Sequence, residues 1–203
     1  MLTNIAVFVS GGGTNLQALI DAQKAGIIKS GKIQLVVSSS PTAYALERAA
    51  NNGIDSVVVS RKENPDQATF EAKICEALDK YKIDLIVLAG FMSILSEDFT
   101  KKYEDRIINV HPSLIPSFCG KGFYGLRVHE AALSYGVKVS GATVHFVNEI
   151  PDGGKIILQK AVEIKDGDTA EVLQKRIMEE AEWKILPLSV ERVSADILKS
   201  RGE

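Results

Sequence analysis

Apolar runs recur along the first half of the chain, each followed by a stretch with helical spacing, and this alternation limits the possible folds more than any other feature. Ile5-Ala6-Val7-Phe8-Val9, Ile33-Gln34-Leu35-Val36-Val37, Ser56-Val57-Val58-Val59 and Asp84 to Gly90 are apolar nearly end to end. A strand with one face in water alternates in polarity. These runs do not, so both of their faces are covered. Between them, Asn15 to Ala22 (stopped by Gly26), Ala43 to Asn52 (ending at Gly53) and Pro65 to Lys80 carry helical period. The third of these puts Phe70, Ile74 and Leu78 on one stripe, with Cys75 beside it as packing. The run Asp84 to Gly90 is the most apolar and is expected at the sheet centre. A short helix from about Ser96 to Tyr103 leads into a fifth strand ending near His111. Strands joined by short helices require right-handed crossovers and a parallel sheet.

After Pro112 the pattern changes. Residues 112–125 read as a loop rich in Gly and Pro, carrying Phe118, Cys119, Phe123 and Tyr124, and a helix spans Leu126 to Tyr135. Two strands, Val139 to Val147 and Lys155 to Ile164, flank the turn residues Asn148 to Gly154, a spacing that favours an antiparallel pair at the sheet edge. Thr169 to about Leu186 is a long amphipathic helix that Pro187 is expected to interrupt or bend. The tail from Ser200 to Glu203 is expected to fray. His129, on a helix, reads as a surface residue. His145, among Val144, Phe146 and Val147, either lines a site or packs. The expected class is therefore α/β: a Rossmann-like, mostly parallel sheet with helices on both faces and an antiparallel C-terminal edge.

With no linker and no repeat, 203 residues read as one domain, long enough to bury a core without staples. A 45% hydrophobic, 25% charged composition is that of an ordinary globular protein. The net charge of −2 gives no hint of a nucleic-acid or membrane surface. Two cysteines, Cys75 and Cys119, make no disulfide framework and suit a reducing compartment. No basic segment precedes an apolar one at Met1 to Ile5, and no apolar stretch approaches the roughly 18 residues of a membrane span. A cytoplasmic protein is expected. No Cys/His spacing points to a metal.

Three stretches carry candidate chemistry. In Asn109-Val110-His111-Pro112-Ser113-Leu114-Ile115-Pro116, Asn109 and His111 are two apart and share one strand face, while the prolines end the pairing. They either build a site at the strand end or merely close it off. Ser10-Gly11-Gly12-Gly13-Thr14-Asn15 joins the first strand to a helix. Its glycines and free helix-start amides suit an anion. It is no P-loop, and Leu16 replaces the third glycine of a dinucleotide fingerprint, so a single phosphate fits better than NAD; a tight turn without ligand is the alternative. Asp152 stands in Pro151-Asp152-Gly153-Gly154, itself an ordinary turn sequence. If Asp152 met His111, it would favour the protonated imidazole, and that ring with the Asn109 amide would stabilise an oxyanion.

These stretches, with Leu88-Ala89-Gly90-Phe91-Met92-Ser93-Ile94-Leu95, closely resemble the phosphoribosylglycinamide formyltransferases, in the same order along nearly the whole chain. The resemblance implies transfer of a formyl group from 10-formyltetrahydrofolate to the amine of glycinamide ribonucleotide in purine synthesis. It makes His111 the catalytic acid, with Asn109 holding the formyl oxygen and Asp152 setting the charge of His111. Gly13, Thr14 and Asn15 would grip the substrate phosphate, with Glu182 holding the substrate from the other side. The backbone around Met92, Ser93, Ile94 and Leu95, with Asn109, would line the folate site. Residues 1–110 would then be a phosphate-binding half, and residues 111–203 a folate-binding and catalytic half.

The partners implied are two small molecules, folate and the ribonucleotide, without metal, nucleic acid or membrane, on a monomer or weak homodimer. Two positions depart from the family. Gln67 stands where many members have a basic residue, with Arg61 or Lys62 as substitutes, and Ser93 stands where many have Arg. The Gly-rich loop from Phe118 to Gly125 suits a lid. A methionyl-tRNA formyltransferase would be expected to add a C-terminal domain and a basic surface, and a formyltetrahydrofolate deformylase an N-terminal domain. A non-catalytic nucleotide-binding module would leave the Asn109, His111 and Asp152 set without a purpose.

Overall fold

The structure, a computed structural model, describes residues 2–202. Strands β1 (Thr3–Val9), β2 (Gly31–Ser38), β3 (Asp55–Val58), β4 (Leu85–Leu88), β5 (Ile107–His111), β6 (Val139–Phe146) and β7 (Ile156–Glu163) form one seven-stranded sheet. Their order is β3-β2-β1-β4-β5-β6-β7, so the most apolar run is the middle strand. β1 to β5 pair in parallel, and β6 joins β5, and β7 joins β6, antiparallel.

Successive strand residues face opposite sides, so the internal strands feed two cores. Ile5, Val7 and Val9 of β1, Leu85 and Val87 of β4, and Ile108 and Val110 of β5 enter the first core. There they meet α1 (Thr14–Lys24), α2 (Ala45–Asn51), α6 (Ala170–Ile177) and α7 (Trp183–Ser200). Ala6 and Phe8 of β1, Ile86 and Leu88 of β4, and Ile107 of β5 enter the second, beneath α3 (Gln67–Lys80) and α4 (Glu97–Lys102). Each fully buried side chain of the size of Phe8 or Phe70 stabilises the fold by about 1.5–3 kcal/mol. α5 (Leu126–Tyr135) packs against α6. Among the described residues no helix is long and apolar enough to cross a membrane.

Local chemistry sets the helix ends. α3 starts at Gln67 rather than at Pro65 because the Asp66 carboxylate accepts the Thr69 N–H at 2.8 Å. Ser96 caps α4 and Thr169 caps α6 in the same way. The last helix departs from expectation, since it does not end near Leu186. A π turn, Met178–Glu182, joins α6 to α7, and α7 continues through Pro187 to Ser200. The apolar spacing of Leu186, Val190 and Val193 holds α7 on the core. Pro187 lies inside α7 and has no N–H to give, so the ladder loses one bond there. The tail is also less free than expected, because the Arg201 guanidinium pairs with Asp84. The expected fraying of Glu203 lies outside the described residues.

Between β1 and β4 the chain order reverses. Crevices outside the C-terminal ends of strands at such a reversal collect ligands. Here that crevice holds the turn after β1 and the segment after β4, with the end of β5 beside them.

Candidate active site

The turn after β1 places Gly13 as the N-cap of α1, with φ +71°. A Cβ there would lie 2.6 Å from the Ala45 Cβ, so both conformation and space require glycine. Thr14 is exposed at the helix start. The Asn15 amide donates to Glu182 Oε2 at 2.7 Å, while Asn15 Oδ1 is buried without a hydrogen-bond partner among the described residues. Glu182, at the end of the π turn, is only 6% exposed. Burial pushes its carboxyl pKa up, and the Asn15 bond draws it only part of the way back. Gly13, Thr14 and Asn15, expected to grip the phosphate, thus adjoin Glu182, expected to hold the substrate from the other side.

The segment after β4 meets this turn directly, because the Met92 N–H donates to Ser10 Oγ at 2.9 Å. Beyond it lies a cleft of about 130 Å³, lined by Ser93, Ile94 and Leu95 on one side and by Asn109, His145 and Asp152 on the other. The side chains of the stretch expected to line the folate site with its backbone take different places here. Ser93 and Leu95 line the cleft and Ile94, 74% exposed, stands at its rim. The Met92 side chain is exposed and outside the lining. Gln67 braces the wall, donating to Glu71 Oε1 at 2.6 Å and to the Ile94 carbonyl at 3.1 Å. Arg61 lies 4.9 Å over the Phe70 ring.

At the end of β5 the period-two reading holds: Asn109 and His111 share the face of Ile107, while Ile108 and Val110 face the other core. The antiparallel register then sets His145 opposite Asn109 and Thr143 opposite His111. A carbonyl only accepts, so the 2.7 Å contact of His145 Nδ1 with the Phe146 carbonyl puts a proton on Nδ1. In the neutral ring Nε2 then accepts from the Asn109 amide at 3.3 Å. By the same logic His111 Nε2 donates to the Phe118 carbonyl at 2.9 Å, and His111 is buried beneath that loop.

Asp152 reaches between the two histidines. Its Oδ2 lies 3.6 Å from His111 Nδ1, and its Oδ1 lies 3.6 Å from His145 Nε2. The Gly120 N–H donates to Oδ2 at 2.8 Å. Burial pushes the carboxyl pKa up, but the His145 and His111 rings and the Gly120 N–H together outweigh it. The pKa of Asp152 therefore lies below the ordinary aspartate value. The Asp152-Gly153-Gly154 stretch is turn and site at once. Asp152 has φ +58°, and a Cβ on Gly154 would lie 1.8 Å from the Phe146 carbonyl oxygen.

Neighbouring groups are less reactive. Burial, and then the Asp152 charge, push the Cys119 thiol pKa up, so it is no activated nucleophile. His129 corrects its expectation: it is not a surface residue but 0% exposed. It lies on the buried side of α5 with Val128 and Ala132. Burial, and then the His111 charge, depress its pKa to about 4. Sequence reasoning passed over Arg48, whose Nε donates to the Gly12 carbonyl at 2.8 Å. A single Arg in a helix carries no motif. Only the pairing of β2 with β1 brings α2 beside the first turn. Among the described residues no group of three or more His, Cys, Asp or Glu side chains is placed to hold a metal ion.

Residues 3–190 match the model of a family described as Formyl transferase. The phosphoribosylglycinamide formyltransferase of Haemophilus influenzae is 41% identical over 189 residues, covering 93% of this chain and 86% of that protein. The trifunctional purine biosynthetic protein adenosine-3 of Homo sapiens is 42% identical over 191 residues, covering 94% of this chain but 18% of its own length. The chain thus spans less than a fifth of the vertebrate trifunctional relatives it matches. Among solved structures, glycinamide ribonucleotide transformylase 1 from Symbiobacterium toebii superposes with a TM-score of 0.89 at 40% identity. That match covers 96% of this chain and 89% of the other.

Proposed function

This chain belongs to the formyl transferase family, and on that premise we propose that it is a phosphoribosylglycinamide formyltransferase. It moves the formyl group of 10-formyltetrahydrofolate to the amine of glycinamide ribonucleotide, giving formylglycinamide ribonucleotide and tetrahydrofolate in purine synthesis. The observation that carries this reading is Asp152, which lines the cleft with Asn109 and lies 3.6 Å from the buried His111, with the glycine turn reached across the Ser10–Met92 contact. Gly13, Thr14, Asn15 and Glu182 take the ribonucleotide, and the wall from Met92 to Leu95 with Asn109 takes the folate.

The substrate amine attacks the formyl carbon and forms the new C–N bond, and the carbonyl oxygen becomes an oxyanion. The Asn109 amide and His111 donate to that oxygen, and Asp152 balances the charge on His111. A donor aimed at such an oxyanion is worth about 10²–10³-fold in rate. The amine proton leaves through water toward Asp152. Collapse breaks the bond from carbon to N10, which takes up a proton as tetrahydrofolate departs. The enzyme supplies no covalent nucleophile and no metal.

His111 Nε2 reaches the formyl oxygen only after releasing the Phe118 carbonyl, so residues 117–125 act as a lid that shifts with each turnover. The chain is read as a single cytoplasmic domain, monomeric or weakly dimeric, without nucleic-acid or membrane partners.

The test follows the absorbance of the deformylated folate with and without glycinamide ribonucleotide. Product only with the ribonucleotide supports the transferase. Product in its absence would make water the acceptor and overturn the proposal. So would the absence of product in both cases.

A further inference from the structure

We infer that Arg48 is a positioning residue for the substrate phosphate, acting through the peptide planes of the glycine turn. The inference rests on the reading of that turn as the phosphate grip. Three successive carbonyls of the turn are tied down on the protein side. The Gly11 carbonyl accepts the Ala45 N–H at 3.1 Å, the Gly12 carbonyl accepts Arg48 Nε at 2.8 Å, and the Gly13 carbonyl accepts the Gln17 N–H at 3.0 Å. In a trans peptide the C=O and the following N–H point in opposite directions. Fixing the oxygens of Gly11 and Gly12 therefore fixes the N–H groups of Gly12 and Gly13 outward, as a concave set of donors at the start of α1.

Arg48 is the one side chain among these three anchors; the other two are backbone bonds. Its guanidinium is itself held. Nη1 donates to Gln17 Oε1 at 3.2 Å, and the Tyr44 ring lies 5.1 Å from its centre. Its bond to Gly12 is charge-assisted, and its positive charge stands directly behind the donors an anion would meet. It also sits on the wall of a small cleft beside the turn, with Thr14, Gln17 and Trp183. Without Arg48, Gly12 keeps its glycine freedom and the donor set is no longer preformed. Ordering it must then come out of binding.

The role predicts dependence on the phosphate and not on the chemistry. Kinetics of Arg48→Met and Arg48→Lys would be measured with glycinamide ribonucleotide and with its dephosphorylated riboside. For Arg48→Met, KM for the ribonucleotide rises about 10- to 100-fold, the scale of one charge-assisted hydrogen bond. The kcat, the folate KM and kcat/KM for the riboside hold. Arg48→Lys keeps charge but not the planar fork, and recovers only part of the loss. Competitive inhibition by inorganic phosphate weakens in the same order, which serves as a second reading if one variant folds poorly.

Equal losses on ribonucleotide and riboside would reduce Arg48 to a structural residue and overturn the inference. Full recovery in Arg48→Lys would also overturn it, since charge alone would then suffice. A wild-type enzyme that does not distinguish ribonucleotide from riboside would overturn the phosphate reading of the turn first, and Arg48 with it.

Discussion

Replacing Gly13 with Ala separates what the glycine turn needs in order to fold from what it needs in order to bind. At φ +71° an L-residue costs about 1–2 kcal/mol. The new Cβ would also lie 2.6 Å from the Ala45 Cβ and 2.9 Å from the Ala45 Cα. Forced overpacking of this kind costs about 1–3 kcal/mol. Together these give a destabilisation of about 2–5 kcal/mol, a large share of the roughly 5–15 kcal/mol that holds a domain folded. For a chain of this size each kcal/mol moves Tm by about 2–4 °C, so the melt should fall by about 4–20 °C. Gly11 and Gly12 are the controls. A Cβ at either meets nothing within 4 Å, and neither has a positive φ. Gly12→Ala should melt within about 2 °C of the parent, as a site away from packing does, yet raise KM for the ribonucleotide by crowding the approach of the phosphate. Thermal denaturation of all three variants, with ribonucleotide KM for the two folded controls, tests both halves. A Gly13→Ala protein that melts with the parent, or a Gly12→Ala protein that falls as far as Gly13→Ala, would refute the reasoning.

Asp152→Asn should lower kcat by about 10²–10⁴-fold, the usual scale for loss of an acid–base group. Asp152 is also more acidic when folded than its ordinary 3.8, so its carboxylate stabilises the fold above that pH and the benefit is lost as pH falls through the folded value. Denaturant titrations of Asp152→Asn should therefore show a shallower loss of stability below about pH 3.8. His129 is depressed from 6.5 to about 4, so between those values the unfolded chain binds the extra proton and stability falls as the solution is acidified. His129→Leu should flatten that part of the curve, and an unchanged slope would count against the buried neutral ring. Glu71 accepts from the Ser96 N–H at 2.6 Å, Ser96 Oγ at 2.5 Å and Gln67 at 2.6 Å. Glu71→Ala should cost about 2–4 kcal/mol by stranding those donors and should raise the folate KM by loosening the cleft wall, which melts and steady-state kinetics would both report.

The two-sided burial of β1 and β4 is written directly in their composition, so the parallel core of the sheet and the place of β4 in it could be read in advance. The shared face of Asn109 and His111 follows from strand period alone. His145 did not follow, because its place opposite Asn109 depends on the register of β5 with β6, which no local pattern encodes. Arg48 was invisible for a related reason: its partner is a backbone oxygen on another element. Asp152 was legible as a turn residue, but its position between two rings depends on how that turn folds back over β6. His129 was misjudged because one polar residue on a helix says little about which side is buried. α5 is covered by α6, and that packing is tertiary. Around Pro187 a local rule was given too much weight, although the apolar spacing of Leu186, Val190 and Val193 runs straight across it.

The π turn at Met178–Glu182 has a consequence for insertions and deletions. An ordinary helix advances about 100° per residue, and a π turn accommodates roughly one more residue per revolution than an α turn. Deleting one residue there would let the turn close as an ordinary α turn with the same total rotation, so the faces on either side would keep their phase. A second deletion, from the uniform helix that results, would turn either Leu173 and Ile177 out of the interior or Glu182 away from Asn15 by about 100°. The uneven winding is thus a one-residue reserve in the rod. One residue can therefore be lost from those five without rephasing the rod, whereas residues 117–125 have no such slack, since the Phe118 carbonyl and the Gly120 N–H hold His111 and Asp152.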